Sequence, residues 1–183
     1  MPILPPETDL YPADLLEESS DLPWWAVYTM ARREKDLMRR LLKLEIPFYS
    51  PLVSKKGRSP SGRVRVSQVP LFAGYVFFRG DADQRREALA TNCISQCLAV
   101  SDPEQLRRDL ANVRRLILSQ QPLTAESRLE PGARVRIKTG PLMGLEGVIL
   151  KRHGQERLLV AVQFLQQGAS IQIEDFVVER IDG

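Results

Sequence analysis

Leu71-Phe72-Ala73-Gly74-Tyr75-Val76-Phe77-Phe78 is the most hydrophobic window of the chain, and its aromatic content predicts a strand at the centre of a sheet. Gly74 is out of place in an ordinary core strand, because glycine weakens a strand and marks a bulge or a close backbone approach. Alternation puts Tyr75 and Phe77 on one face and Val76 and Phe78 on the other. If helices cover one face of the sheet, only one pair points outward, and Tyr75 with Phe77 is the expected pair.

Upstream, Trp24-Trp25-Ala26-Val27-Tyr28-Thr29-Met30 is aromatic and β-branched, as a buried strand requires. From Arg33 to Ile46, Leu37, Met38, Leu41, Leu42 and Leu44 recur on one helical face, with Arg32, Arg33, Asp36, Arg39, Arg40 and Lys43 opposite them. Pro47 is expected to end this helix, and Phe48 to Val53 resumes as a strand. Lys55-Lys56-Gly57-Arg58-Ser59-Pro60-Ser61-Gly62-Arg63 has the Gly, Ser and Pro content of a mobile hairpin tip, with Val64 to Pro70 as its return arm. Downstream, a short helix is expected at 83–90 and a strand at 93–100. Asp102-Pro103-Glu104 then opens a helix whose Leu106, Leu110, Val113 and Ile117 share a face. The order β-α-β-β-α-β-α predicts an α+β sandwich over residues 24–120, an antiparallel or mixed sheet with helices on one face.

Residues 121–130 (QPLTAESRLE) lack periodicity and read as a linker. Beyond them Arg134-Val135-Arg136-Ile137-Lys138 alternates with period two, and turn glycines Gly140, Gly144 and Gly147 precede Val148-Ile149-Leu150. Further strands are expected at Leu158–Leu165, Ile171–Ile173 and Val177-Val178, which makes residues 131–183 a small five-stranded barrel. The five glycines between Gly132 and Gly154 disfavour a helical alternative, at roughly 1 kcal/mol each inside a helix.

The chain has 183 residues, 43% of them hydrophobic and 27% charged, an ordinary globular composition. No apolar run approaches the ~18 residues of a membrane helix, and the N-terminus lacks the basic and apolar regions of a signal peptide, so a cytoplasmic location is expected. The net charge of +3 hides an asymmetry: residues 1–23 hold six acidic groups and no basic one, whereas residues 24–80 hold twelve basic and three acidic. Five prolines in the acidic segment argue for a flexible tail over residues 1–23.

Chemistry is hard to place. The single histidine, His153, lies in a turn-like Lys-Arg-His-Gly sequence, and Cys93 and Cys97 are too few and too distant from it for a zinc site. The two cysteines, with three residues between them on one strand, read as buried thiols rather than a disulfide. Gly57 and Gly62 have the glycine spacing of a phosphate-binding loop, but Arg63-Val64 follows where Lys-Ser/Thr is required. No catalytic residue, metal or cofactor is expected, and the chain reads as a non-enzyme.

Pro131 to Ile149 (PGARVRIKTGPLMGLEGVI), with Gly147 at the hallmark glycine, resembles a KOW motif. Such motifs also occur in ribosomal proteins, which leaves an RNA-binding, ribosome-associated protein as the alternative. Trp24 to Tyr28, the helix after it, and Val69 to Phe78 resemble the NGN domain of NusG/RfaH-type transcription elongation and antitermination factors. NGN domain, linker and KOW barrel occur here in that family's order. The resemblance implies a bacterial factor that binds RNA polymerase at the clamp coiled coil and suppresses pausing, with the KOW domain recruiting a partner.

The resemblance further implies a polymerase-binding patch at Trp24, Phe72, Tyr75 and Phe77, with Ala73 where the family usually has proline. It also implies contact with upstream or non-template DNA through Arg32, Arg33, Arg39, Arg40 and Lys43, with Lys55, Lys56, Arg58, Arg63 and Arg65. In the barrel, Phe164, Leu165, Gln166 and Gln167 stand where general members carry an aromatic-Gly-Arg loop that contacts Rho and a small-subunit ribosomal protein. The missing glycine and arginine make Rho binding doubtful, leave the ribosomal partner open, and suggest a specialised, gene-selective paralogue. A monomer without membrane contact is expected.

Overall fold

The computed structural model describes residues 7–173 and 177–181. The chain divides between Pro103 and Glu104 into two compact units.

The first unit contains strands β1 (Leu10–Tyr11), β2 (Trp24–Thr29), β3 (Phe48–Tyr49), β4 (Leu52–Arg58), β5 (Val64–Pro70), β6 (Tyr75–Arg79) and β7 (Ile94–Ala99), with helices α1 (Glu34–Lys43) and α2 (Ala82–Leu89). Five of the strands form an antiparallel sheet in the order β1-β3-β6-β2-β7, so the most hydrophobic window does supply the central strand. Val27, Phe48, Val76 and Phe78 on the sheet pack with Leu37, Met38 and Leu41 of α1 and Ala88 of α2 in one buried cluster. Nonpolar burial of this kind contributes about 1.5–3 kcal/mol per large side chain.

Helix α1 stops before Pro47. The Ile46 N–H donates to the Leu41 carbonyl and the Glu45 N–H to that of Leu42, with Glu45 left-handed at φ 57°, the Schellman arrangement that satisfies the last carbonyls of a helix. Helix α2 begins with a reciprocal capping box between Asp81 and Gln84.

Two expectations are corrected here. Strand β6 begins only at Tyr75, because Leu71 to Gly74 form a turn in which the Tyr75 N–H reaches the Phe72 carbonyl and Gly74 takes φ 87°. Nor are residues 7–23 a free tail: Leu10 and Tyr11 pair with Tyr49 and Phe48, the Ser50 N–H donates to the Asp9 carbonyl, and Leu15 and Leu16 are buried. Three leucines and a two-residue strand suffice to anchor a segment whose acids stay in water, and they are too short a pattern for periodicity to register.

The second unit takes in α3 (Pro103–Leu118) from Glu104 onward, β8 (Leu123–Glu126), β9 (Arg134–Ile137), β10 (Glu146–Arg152), β11 (Gln155–Val162), β12 (Gln167–Gln172) and β13 (Val178–Arg180). The strands form one antiparallel sheet, β13-β9-β10-β11-β12-β8. Where a five-stranded barrel is expected from sequence, there is a six-stranded ladder whose end strands, β13 and β8, are not paired with each other among the described residues. The sixth strand, β8, comes from the segment read as a linker. Its Glu126 is buried, 2.6 Å from an Arg152 nitrogen and within hydrogen-bond reach of the Ser170 hydroxyl, a pairing that offsets the cost of burying the carboxylate. His153 sits exposed in the β10–β11 turn, where it and Gly154 both have positive φ, as a two-residue hairpin turn requires.

Candidate functional site

Antiparallel register fixes which aromatic residues share a face. Tyr28 lies opposite Tyr75, Ala26 opposite Phe77 and Trp24 opposite Arg79, so Trp24, Tyr28, Tyr75 and Phe77 stand on the sheet face away from the α1–α2 cluster. The expected pairing of Tyr75 with Phe77 is therefore correct as geometry, but the exposure is not uniform. Trp24, Phe72 and Phe77 are buried, whereas Tyr75 is half-buried and Tyr28 is 44% exposed. The two tyrosine rings meet edge to face at 5.2 Å, a favourable aromatic geometry. Leu98, opposite Ala26 on β7, continues this face and is exposed. Tyr28 and Leu98 are thus accessible groups that sequence reading did not single out; the register sets Tyr28 directly opposite Tyr75, while Leu98 lies on the far side of β2, opposite Ala26.

Gly74 makes this arrangement possible. A Cβ there would lie 2.7 Å from the Tyr28 ring, its carbonyl accepts from the Thr29 N–H at 2.7 Å, and its own N–H donates to Glu34 Oε1 at 2.8 Å. The glycine read as a close backbone approach is one, and it joins the start of β6 to β2 and to the first turn of α1. A surface hollow opens beside it, lined by Tyr28, Met30, Glu34 and Gly74 among others.

The ten basic residues fall into two groups. On α1, Asp36 accepts from Arg33 at 2.9 Å and from Arg40 at 3.2 Å, and Arg39 lies 2.7 Å from Glu7. The guanidinium groups of Arg33 and Arg40 hold the Asp36 carboxyl below the usual carboxylate range. Much of the positive charge on α1 is thereby matched internally. Lys55, Lys56, Arg58, Arg63 and Arg65 differ: all five are exposed on the β4–β5 hairpin, and none has an ion-pair partner among the described residues. The hairpin has no acidic residue from Leu52 to Pro70, so its field is unopposed locally.

The family model described as transcription termination factor NusG matches residues 22–120, more than half of the chain. The chain belongs to the NusG family. No curated protein matches it. Among solved structures, the Thermotoga maritima protein described under "Domain interaction in Thermotoga maritima NusG" is 18% identical, with a TM-score of 0.43 over 87% of this chain and 97% of that one. NusG-family proteins are non-enzymatic transcription factors, and among the described residues of this member no group of three or more His, Cys, Asp or Glu could hold a metal ion.

In this NusG-family chain the segment Phe164 to Gln167 leaves β11 through a 3-10 turn, Gln163–Leu165, and enters β12 at Gln167. Gln166 adopts φ 53°, a left-handed conformation that favours glycine, and its side-chain amide donates to the Gln163 carbonyl at 2.7 Å. The turn therefore survives the absence of glycine. Asp109 on α3 accepts from the Gln163 N–H at 3.0 Å and from the Gln105 amide at 2.7 Å, which fixes the start of the same loop. Phe164 and Leu165 are half-buried.

Proposed function

We propose that this protein travels with RNA polymerase during elongation and suppresses pausing without chemistry of its own. The observation that carries the reading is the combination, in a NusG-family first unit, of an accessible aromatic edge with an unpaired basic hairpin. Tyr28, Tyr75 and Leu98 meet the clamp coiled coil, while Trp24, Phe72 and Phe77, expected from the resemblance to belong to this patch, are buried. Aromatic anchors of this kind bury large area with few rotamers to immobilise. The hairpin cations, with Arg32 and Lys43, face upstream or non-template DNA, where each neutralised phosphate steepens the salt dependence of binding by about 0.9 in log–log slope. Residues 24–120 act as the NGN domain. Residues 131–183 act as a KOW domain, joined by residues 121–130, and the protein works in the cytoplasm as a monomer. Co-purification of the full chain with core RNA polymerase, competed by a clamp coiled-coil fragment, tests this; retention undiminished by the fragment contradicts the assignment.

The KOW domain offers Phe164 and Leu165 to a small-subunit ribosomal protein. With Gln166 and Gln167 in place of glycine and arginine, a Rho contact lacks a charge-assisted hydrogen bond of about 1.5–3 kcal/mol. In a reconstituted termination assay, this specialised paralogue leaves Rho-dependent release unstimulated; stimulation equal to that by a general NusG factor returns it to the housekeeping class.

A further inference from the structure

The β4–β5 hairpin pairs with no other strand among the described residues, and both of its faces are open from Ser54 to Arg58 and from Val64 to Ser67. Its register sorts the side chains. Lys56 lies opposite Val66, Arg58 opposite Val64 and Ser54 opposite Gln68, so these six share one face, and a 2.7 Å bond from the Gln68 amide to the Ser54 hydroxyl ties its base. Lys55, Gly57, Arg65 and Ser67 occupy the other. At the tip, the Gly62 N–H donates to the Ser59 carbonyl and Gly62 takes φ 83°, a turn that closes the ribbon.

Val64 and Val66 are 64% and 61% exposed. Isolated two-stranded ribbons are marginal in water, and two bare valines between cations add nothing to the protein's own core. A partner that is anionic and presents small apolar groups explains both features together. The major groove of duplex DNA is such a surface: it admits a two-stranded ribbon, its rims carry phosphates, and its floor carries guanine acceptors and thymine methyl groups. Residues two apart on a strand stand about 6.8 Å apart, twice the ~3.4 Å between successive phosphates of one DNA strand along the helix axis. Val64 and Val66 are therefore spaced to meet methyl groups two base pairs apart. The major groove of an RNA duplex is too deep and narrow for such a ribbon.

We propose that the hairpin is a sequence-reading ribbon for duplex DNA. Val64 and Val66 sit against thymine methyls, Lys56 and Arg58 reach guanine edges, and Lys55, Arg63 and Arg65 hold the flanking phosphates. This rests on the DNA-facing reading of the hairpin and adds a sequence preference to it.

The test uses the full chain without polymerase. A random duplex DNA library is selected against the protein, and the enriched duplex is compared with the same duplex carrying deoxyuridine for thymidine, which removes only the methyl groups. Binding is expected to fall about fourfold for each contacted methyl. Val64→Ser with Val66→Ser abolishes this thymine–uracil difference while leaving the salt slope unchanged, and Arg65→Ala lowers the slope by about 0.9 without touching the difference. No enrichment, an unchanged affinity for the uracil duplex, or equal binding to an RNA duplex overturns the proposal. The base substitution alters no protein atom, so the outcome stands even if the serine variant loses its hairpin. Co-purification with polymerase, measured separately, distinguishes a failure of this inference from a failure of the elongation-factor reading.

Discussion

At Phe77 the side chain is fully buried on the face opposite the α1–α2 cluster, and Trp24 and Tyr49 on the same face are buried with it. Phe77→Ala is therefore expected to cost about 3–5 kcal/mol, read as a lower denaturation midpoint. Tyr75→Ala, at a half-buried ring, weakens polymerase binding with a much smaller loss of stability. A well-folded Phe77→Ala variant deficient only in polymerase binding would restore the outward-facing pair expected from sequence. Alternation correctly places Tyr75 with Phe77, because it depends only on strand geometry. It cannot tell which residues of a face are covered, since that depends on groups distant in the chain. The role of Gly74 is legible as a close approach, while its neighbours, the Tyr28 ring and the Glu34 carboxylate, become visible only through the fold.

Among the elements, α1 and the N-terminal segment make opposite cases. The apolar stripe of α1 runs through nearly three turns, so its helix is read correctly, but it ends at Lys43 with Leu44 as its cap, closed by a backbone motif at Glu45 and Ile46 that does not need Pro47. Its Asp36 is held below the usual carboxylate range by Arg33 and Arg40, so its stabilising contribution is present above the ordinary Asp pKa near 4 and is lost as pH falls through the lowered value. Asp36→Asn should flatten the acid limb of a stability–pH profile there; an unchanged limb argues against the pairing. The N-terminal segment carries no such stripe, yet Leu15 is almost fully buried. Leu15→Ala should cost about 2–5 kcal/mol, and deletion of residues 1–23 should lower Tm; an unchanged Tm for the deletion would return the segment to a solvated tail. Strand β8 escaped reading for a related reason: a buried glutamate satisfied by Arg152 and Ser170 looks, in sequence, like linker polarity.

For the whole molecule, charge is the property most legible in sequence, and the fold shows how it is distributed. At α1, Arg33, Arg39 and Arg40 are paired with Asp36 or Glu7, while the hairpin's five cations stand unopposed, so the hairpin rather than the helix dominates the expected salt dependence. The family of the chain follows from residues 22–120, and the central functional claim is that it acts on elongating polymerase. The most direct measurement is the lifetime of a defined pause in reconstituted elongation complexes, with and without the full chain, at low and moderate salt. Pause lifetimes are expected to shorten, with the effect fading as salt rises and weakened by Tyr75→Ala. Lifetimes that stay unchanged at protein concentrations saturating the polymerase would contradict the claim.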